Sequence, residues 1–303
     1  MNTYLAKGSN ITFSFSLFTK ENVYLMSSPP ALSSSRDHVI TRKNSNRYRK
    51  NIIHIPEGIS YIATEAFQHQ SCIRSVSFPD SLRKIGARAF QGCTFMESAL
   101  LPQSMVQLGP GAFSDCPKLE KQFIPSGISE LPREIFRDDQ KLQSVTFGEN
   151  SRLHIIRDNA FSSCISLDSL DLPDNITEIC DRAFYRCKNL QNIHLPHNLH
   201  RIGIQAFYFC GIKNLVLPDS LEILEESAFF KCNSLISVVI PTSVKCIRKW
   251  VFHGCNRLQY LEIRHDPDFI GEWIINRAAT IRCYQGSKVD KYCQDSGFHT
   301  EYL

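Results

Sequence analysis

The chain lacks most of the signatures by which an enzyme or a membrane protein is recognised. No apolar run of about 18 residues occurs, so no membrane-spanning helix is expected. Glycine-rich phosphate loops, H-E-x-x-H, G-x-S-x-G and D-x-D-x-D-G elements are all missing, and with them the common signals of nucleotide, zinc-hydrolase, acyl-transfer and calcium chemistry. No cofactor is implied and no enzymatic activity is expected. None of the 12 cysteines forms a C-x-x-C pair, which removes the usual zinc and thioredoxin-like arrangements. Charge of one sign is scarce too: 34 Lys and Arg against 30 Asp and Glu leave a formal net charge of +4, which favours solubility and selects no partner. Ile11, Phe13, Phe15, Leu17 and Phe18 make residues 1–20 apolar in places. Ser and Thr interrupt them, and neither a basic start nor a small-residue cleavage site frames them, so a secretory leader is not expected. A cytoplasmic location or unconventional export follows as the expectation, with the cell surface left open. Sequons at Asn10 and Asn175 are too short to establish secretion.

What the chain has in abundance is repetition. A unit centred on Ala-Phe, with Ile135 and Val251 in place of Ala in two copies, recurs with its Phe at 67, 90, 113, 136, 161, 184, 207, 229 and 252, at spacings of 23, 23, 23, 25, 23, 23, 22 and 23 residues. Self-similarity at such a period marks stacked coils. Each unit reads I/L-P-x-S-I/L-x-x-I-x-x-x-A-F-x-x-C-x-x-L-x-x-V-x-I. The clearest copy runs from Leu172-Pro173 through Ile179, Ala183-Phe184, Cys187 and Leu190 to Ile193 and Leu195. Ile193-His194-Leu195 alternates apolar and polar, which suits a short strand with one buried side. Its two inward positions recur as Val76 and Phe78, Val145 and Phe147, Leu170 and Leu172, Leu215 and Leu217, Val238 and Ile240, and Leu261 and Ile263. Proline follows the strand in most copies, as at Pro79, Pro102, Pro125, Pro173, Pro196 and Pro241, and having no N–H it ends the pairing on the same edge each time. Pairs such as Leu82 and Ile85, Ile176 and Ile179, and Leu199 and Ile202 face inward from the opposite wall. One coil buries too little apolar surface to stand alone, whereas stacked neighbours share a continuous column. The expected fold is an α/β-type repeat solenoid: a right-handed stack with short parallel β-strands on one face and short helical or irregular turns on the other.

With these residues in view, the chain resembles the BspA-like leucine-rich repeat family, whose units carry Ile-Pro, Ala-Phe and Cys or Asn at these places. The resemblance covers about residues 52–263, and Ala279-Thr280-Ile281, Gly286-Ser287 and the segment from Tyr292 to Leu303 are similar to the terminal segment that closes such arrays. It implies a surface or interaction protein whose partner is another protein, such as a host or cell-surface protein. It brings no catalytic residue.

The expected organisation is a non-repeat basic segment over 1–50, nine repeats over 51–264 and a capping segment over 265–303. Arg36, Arg42, Lys43, Arg47, Arg49 and Lys50 lie among Ser and Asn, as in a flexible lead-in. Without a recognition motif, this cluster does not argue for specific nucleic-acid binding. The fourth coil departs from the pattern: Pro132 follows the second Leu, Asp139 takes the Cys place, Gly148 takes the Pro place, and two extra residues follow, which predicts a local bulge. Near the end, Ser287 and Gly297 suit the start and stop of a short helix with Val289, Tyr292 and Cys293 on one face.

Three candidate sites emerge. The cysteines three residues after their Phe (Cys93, Cys116, Cys164, Cys187, Cys210, Cys232 and Cys255) form a file. No other ligand type joins them, so small buried thiols, reduced, are expected rather than a metal column. His194, His197 and His200 straddle Pro196, with Asp171 and Asp174 at equivalent places one coil earlier. An exposed polar patch is expected there, with a metal site, and an enzyme built on it, as the competing reading. The third candidate is the outward side of the strand face, where the core gains nothing from a large apolar residue. Leu100, Phe123, Asp171, His194, Val216, Val239, Tyr260 and Glu262 stand there among Ser and Asn. Apolar groups set among small polar ones suit a protein-binding surface; a carbohydrate or adhesion module using the Ser, Asn and Asp strip is the alternative. The expected binder is a monomer.

Overall fold

The structure, a computed structural model, describes residues 38–303. The apolar stretch over 11–18, the Asn10 sequon and Arg36 lie outside the described residues.

The described chain winds as a parallel-strand solenoid of about 11 turns. Two ladders run along it. The front ladder holds the expected strands, among them Ile52–His54, Ser75–Ser77, Ser98–Leu100, Lys121–Ile124, Ser144–Phe147, Ser169–Asp171, Asn192–His194, Ser237–Ile240 and Tyr260–Ile263. Each pairs in parallel with a strand one coil away, so that Val76 lies beside both Ile53 and Ala99. Alternation is what places these strands: Val238 and Ile240 are buried while Ser237 and Val239 are exposed.

The opposite wall is more regular than turns alone. It carries two-residue strands at Tyr61–Ile62, Lys84–Ile85, Gln107–Leu108, Glu130–Leu131, Ile155–Ile156, Glu178–Ile179, Arg201–Ile202, Ile223–Leu224 and Cys246–Ile247, again parallel. In most of them the second residue is the inward Ile or Leu of the motif, and it is buried. The motif Ser also acquires a reason: the Ser81, Ser104, Ser220 and Ser243 hydroxyls each donate to a carbonyl of the preceding coil.

Between the walls, all nine file phenylalanines are fully buried. Successive rings lie 5.0–6.2 Å apart and within 25° of parallel, inside the range in which aromatic pairs attract beyond their area burial. A third set of cross-coil hydrogen bonds surrounds this file. In the first full coil the Glu65, Phe67 and His69 N–H groups donate to the Ala87, Ala89 and Gln91 carbonyls. Three successive odd residues can aim their N–H groups the same way because those flanking Phe are left-handed. Glu65 and His69 have φ of 59° and 58°, and the pattern recurs at Arg182 and Arg186 with 56° and 62°. Each non-glycine residue held there costs on the order of 1 kcal/mol, and the buried amides it satisfies offset that.

Three local differences from expectation have physical causes. Residues 38–50 were expected to be loose. Instead Val39–Ile40 pairs with Tyr61–Ile62, Ser45–Tyr48 forms a 3₁₀ turn, and Tyr48 packs edge-on against Phe67 at 6.4 Å. Buried Ile40 extends the column by one half-coil. Second, Asn214 to Leu217 form no front strand. Gly211 is the sole residue between Cys210 and Ile212 where other coils have two, and this shorter path takes Val216 out of the ladder while leaving Leu215 and Leu217 buried. Third, the chain continues past the helix Lys288–Ser296 into a strand, His299–Tyr302, that pairs in parallel with Thr280–Cys283. The helix itself begins and ends as expected: Ser287 accepts from the Asp290 N–H, and Gly297 is left-handed at φ 71°.

In the fourth coil the extra residues, at Gly148-Glu149-Asn150-Ser151, are taken up between ladders that both keep register. The rings on either side of them, Phe136 and Phe161, are 5.5 Å apart, and the widest spacing, 6.2 Å, falls one step earlier, between Phe113 and Phe136. Asp139 is wholly buried in the cysteine file; one oxygen accepts from the Cys116 N–H at 2.7 Å and the other has no hydrogen-bond partner. Desolvation pushes its carboxyl well above the usual carboxylate range. A group whose folded pKa is raised favours the fold below its unfolded pKa, near 3.8, and that contribution is lost as pH rises. Asp139→Asn keeps an acceptor for Cys116 and cannot ionise. Denaturant titrations should show the two chains alike near pH 4 and the variant more stable by about 1–3 kcal/mol at neutral pH; equal stability at both would contradict this account of Asp139.

Candidate recognition surface

The front wall carries the expected outward residues, and the structure sorts them. Leu100, Val216 and Val239 are exposed by 66%, 81% and 53%, far more than their apolar character warrants in a wall with no packing role for them. Asp171 and His194 are exposed and lie opposite one another in register. Phe123, Tyr260 and Glu262 are half-buried. Phe123 sits with Leu100, Lys121 and Thr146 along a shallow groove. The Arg282 guanidinium lies 3.9 Å from the Tyr260 ring centre, and Arg264 pairs with the Glu262 carboxylate, so these two offer less free surface than the alternation suggests.

Two features were missed in the sequence. Ile52, 57% exposed, lies in the same outward row opposite Ser75; counting one period back from Ser75 reaches it. The residues immediately after the last four file phenylalanines form a second aromatic row, with Tyr185 and Tyr208 stacked at 4.8 Å, Tyr208 and Phe230 at 5.2 Å, and Phe230 and His253 at 5.7 Å. In those four coils the position after Phe carried that signal.

The polar rows organise the rest of the wall. The Ser75 and Ser98 hydroxyls are 2.9 Å apart, and His54 Nδ1 is 2.7 Å from the Ser77 hydroxyl. Further along, Asp174, His194 and His197 converge: one ligand atom of each lies within 4.8 Å of the others, and all three residues are exposed. Neither Asp171 nor His200 joins this group. His200 Nδ1 is instead 3.0 Å from the Ser220 carbonyl oxygen.

The cysteine file is internal. All twelve cysteines are free thiols, and each thiol of the file donates to a Phe carbonyl of the preceding coil at 3.0–3.3 Å, as Cys187 does to Phe161. Each of these carbonyls already accepts the backbone N–H three residues on, as Phe161 does from Cys164. The thiol, a small side chain with a weak donor, therefore fits a narrow apolar space and adds a second bond to the same oxygen. Burial pushes the Cys93 and Cys255 thiols up to about 12 and those of Cys116, Cys164, Cys210 and Cys232 well above the ordinary value, the reverse of what a reactive thiolate needs.

The model of the BspA type leucine-rich repeat region matches residues 45–153 and 154–282, with six copies. The chain belongs to this family. Among solved structures, the repeat chain is similar to a leucine-rich repeat protein from Bacteroides ovatus, at 22% identity over 84% of each chain with a TM-score of 0.52. It is also similar to a leucine-rich cell surface protein from Faecalibacterium prausnitzii, at 21% identity over 80% of this chain and 81% of that one, TM-score 0.40, and to the pneumococcal vaccine antigen PcpA, at 16% identity over 85% and 89%, TM-score 0.40. At 22% identity and a TM-score of 0.52, the likeness to the Bacteroides ovatus protein shows the fold alone. A search of curated proteins finds no significant match. Family and fold together give a leucine-rich-repeat stack suited to binding, and no helix among the described residues is long and apolar enough to cross a membrane.

A thiol-specific reagent tests the internal file. In the native chain Cys72, which is exposed, should react at once and half-buried Cys246 more slowly, with the other ten waiting for denaturation. Since the raised thiols favour the fold below their unfolded pKa, near 9.0, stability should also fall as pH climbs from about 9 towards 12. Rapid native labelling of Cys187 or Cys210 would contradict this arrangement.

Proposed function

We propose that this leucine-rich-repeat chain recognises a protein partner through its strand-lined front wall. The observation that carries the reading is the exposure of Leu100, Val216 and Val239 on that wall. Their neighbours in the same coils, Ala99, Leu215, Val238 and Ile240, already fill the core, so the fold has no use for the outward apolar groups. Burying a side chain of this kind is worth about 1.5–3 kcal/mol, and a few such anchors surrounded by water-excluding polar contacts account for most of the affinity of a typical interface. Half-buried Phe123 beside Leu100 adds an aromatic already held in one place, which lowers the entropy lost on binding. The exposed Asp171 and the Ser and Asn residues between the anchors provide hydrogen-bonding groups for a polar rim.

Outward substitutions should leave the column intact, because none of these side chains enters it. The chain carrying Leu100→Asp, Val216→Asp and Val239→Asp should unfold at the same temperature as the parent. Used as bait in a lysate of its source cells, it should lose at least about tenfold of the parent's captured partner, roughly 1.4 kcal/mol. An equally stable variant that captures the same protein would place the contact elsewhere, and a partner that proves to be a glycan on an array would replace the protein reading.

A further inference from the structure

We infer that Asp174, His194 and His197 form a site for a divalent transition cation of the zinc type, with three protein ligands and an open coordination position. This goes beyond the recognition reading and does not rest on it.

The site is assembled by the coil geometry. His194 ends the front strand Asn192–His194 and points outward. Buried Pro196 then turns the chain, and His197 returns beside His194 with the two rings 5.7 Å apart and nearly perpendicular at 81°. Asp174 precedes His197 by 23 residues, one repeat, so stacking sets its carboxylate against the histidine pair. The Asn198 side-chain amide ties the two turns together by donating to the Asp174 carbonyl at 3.1 Å. A lone surface histidine needs no explanation. Three ligand groups, two imidazoles and a carboxylate, meeting across two coils within 4.8 Å constitute a donor set.

Its chemistry selects the cation. Two imidazoles and one carboxylate suit zinc, copper or nickel, whereas magnesium and calcium prefer oxygen ligands. Bonds of about 2.0–2.2 Å in a tetrahedral site place ligand atoms roughly 3.3 Å apart. Small rotations of three exposed side chains supply that closure. No described residue hydrogen-bonds the two rings or the Asp174 carboxylate, so closing breaks no hydrogen bond. Asp171, the register partner of His194, is exposed beside it and adds negative charge. The fourth position faces solvent, open to water or to a donor from another molecule.

The test uses the full chain without a histidine tag, stripped with chelator and titrated with Zn²⁺ by calorimetry; Co²⁺ is then added as a visible-absorption reporter. One equivalent of Zn²⁺ should bind, and Co²⁺ should give d–d bands that Zn²⁺ abolishes. His194→Ala, His197→Ala and Asp174→Asn should each weaken binding by at least about tenfold, since even outer partners of metal ligands are worth about 10–100-fold, with circular dichroism unchanged. His200→Ala and Cys72→Ser should bind as the parent does. Absence of a one-equivalent site, unaltered binding in the three ligand variants, or loss of binding in Cys72→Ser would each overturn the assignment.

Discussion

Coil-to-coil registration of the phenylalanine file is the constraint from which the rest follows. A single turn of about 23 residues has an inner and an outer side but no core of its own. Stacking places Phe upon Phe at 5.0–6.2 Å, and that spacing fits the about 4.8 Å separation of hydrogen-bonded strands. Rings, front strands, back strands and left-handed amides therefore share one repeat. Any residue set at the same place in successive coils comes to lie in a row, whether it serves the interior, as the cysteines do, or the exterior, as Asp171 and His194 do.

How far the sequence could be read depended on which physical signal each feature leaves. The file, the front strands and the helix ends were legible because burial demands apolar residues at fixed spacing and caps demand particular residues at Ser287 and Gly297. The back ladder was less legible: a two-residue strand such as Lys84–Ile85 shows one inward Ile and no alternation to count. Left-handed residues were illegible for a different reason. Glu65, Arg182, Phe209 and Trp250 sit where glycine is usually sought, because cross-coil hydrogen bonds hold them there whatever the side chain. The missing strand at Val216 came from a one-residue shortening visible only when coils are aligned.

The candidate surface was partly legible for the same reason. Alternation fixes which residues face outward, so Leu100, Val216 and Val239 could be named. It says nothing of what covers an outward residue, and Arg282 over Tyr260 and Arg264 on Glu262 come from neighbours that periodicity does not describe. The His and Asp patch around Pro196 was legible from spacing, with a metal site as its competing reading, whereas the convergence of Asp174, His194 and His197 without Asp171 or His200 needed the turn at Pro196 to be seen in space.

Native-state hydrogen exchange reads the central claim directly, because the Phe90, Phe136, Phe184 and Phe207 amides donate only across coils, to Ala112, Ala160, Ala206 and Ala228. A continuous registered stack predicts strong protection at all four, greatest in the middle coils and declining towards the ends. Exchange at Phe136 or Phe184 as fast as at the exposed Glu149-Asn150 turn would show that the coils are not bonded to one another in this register.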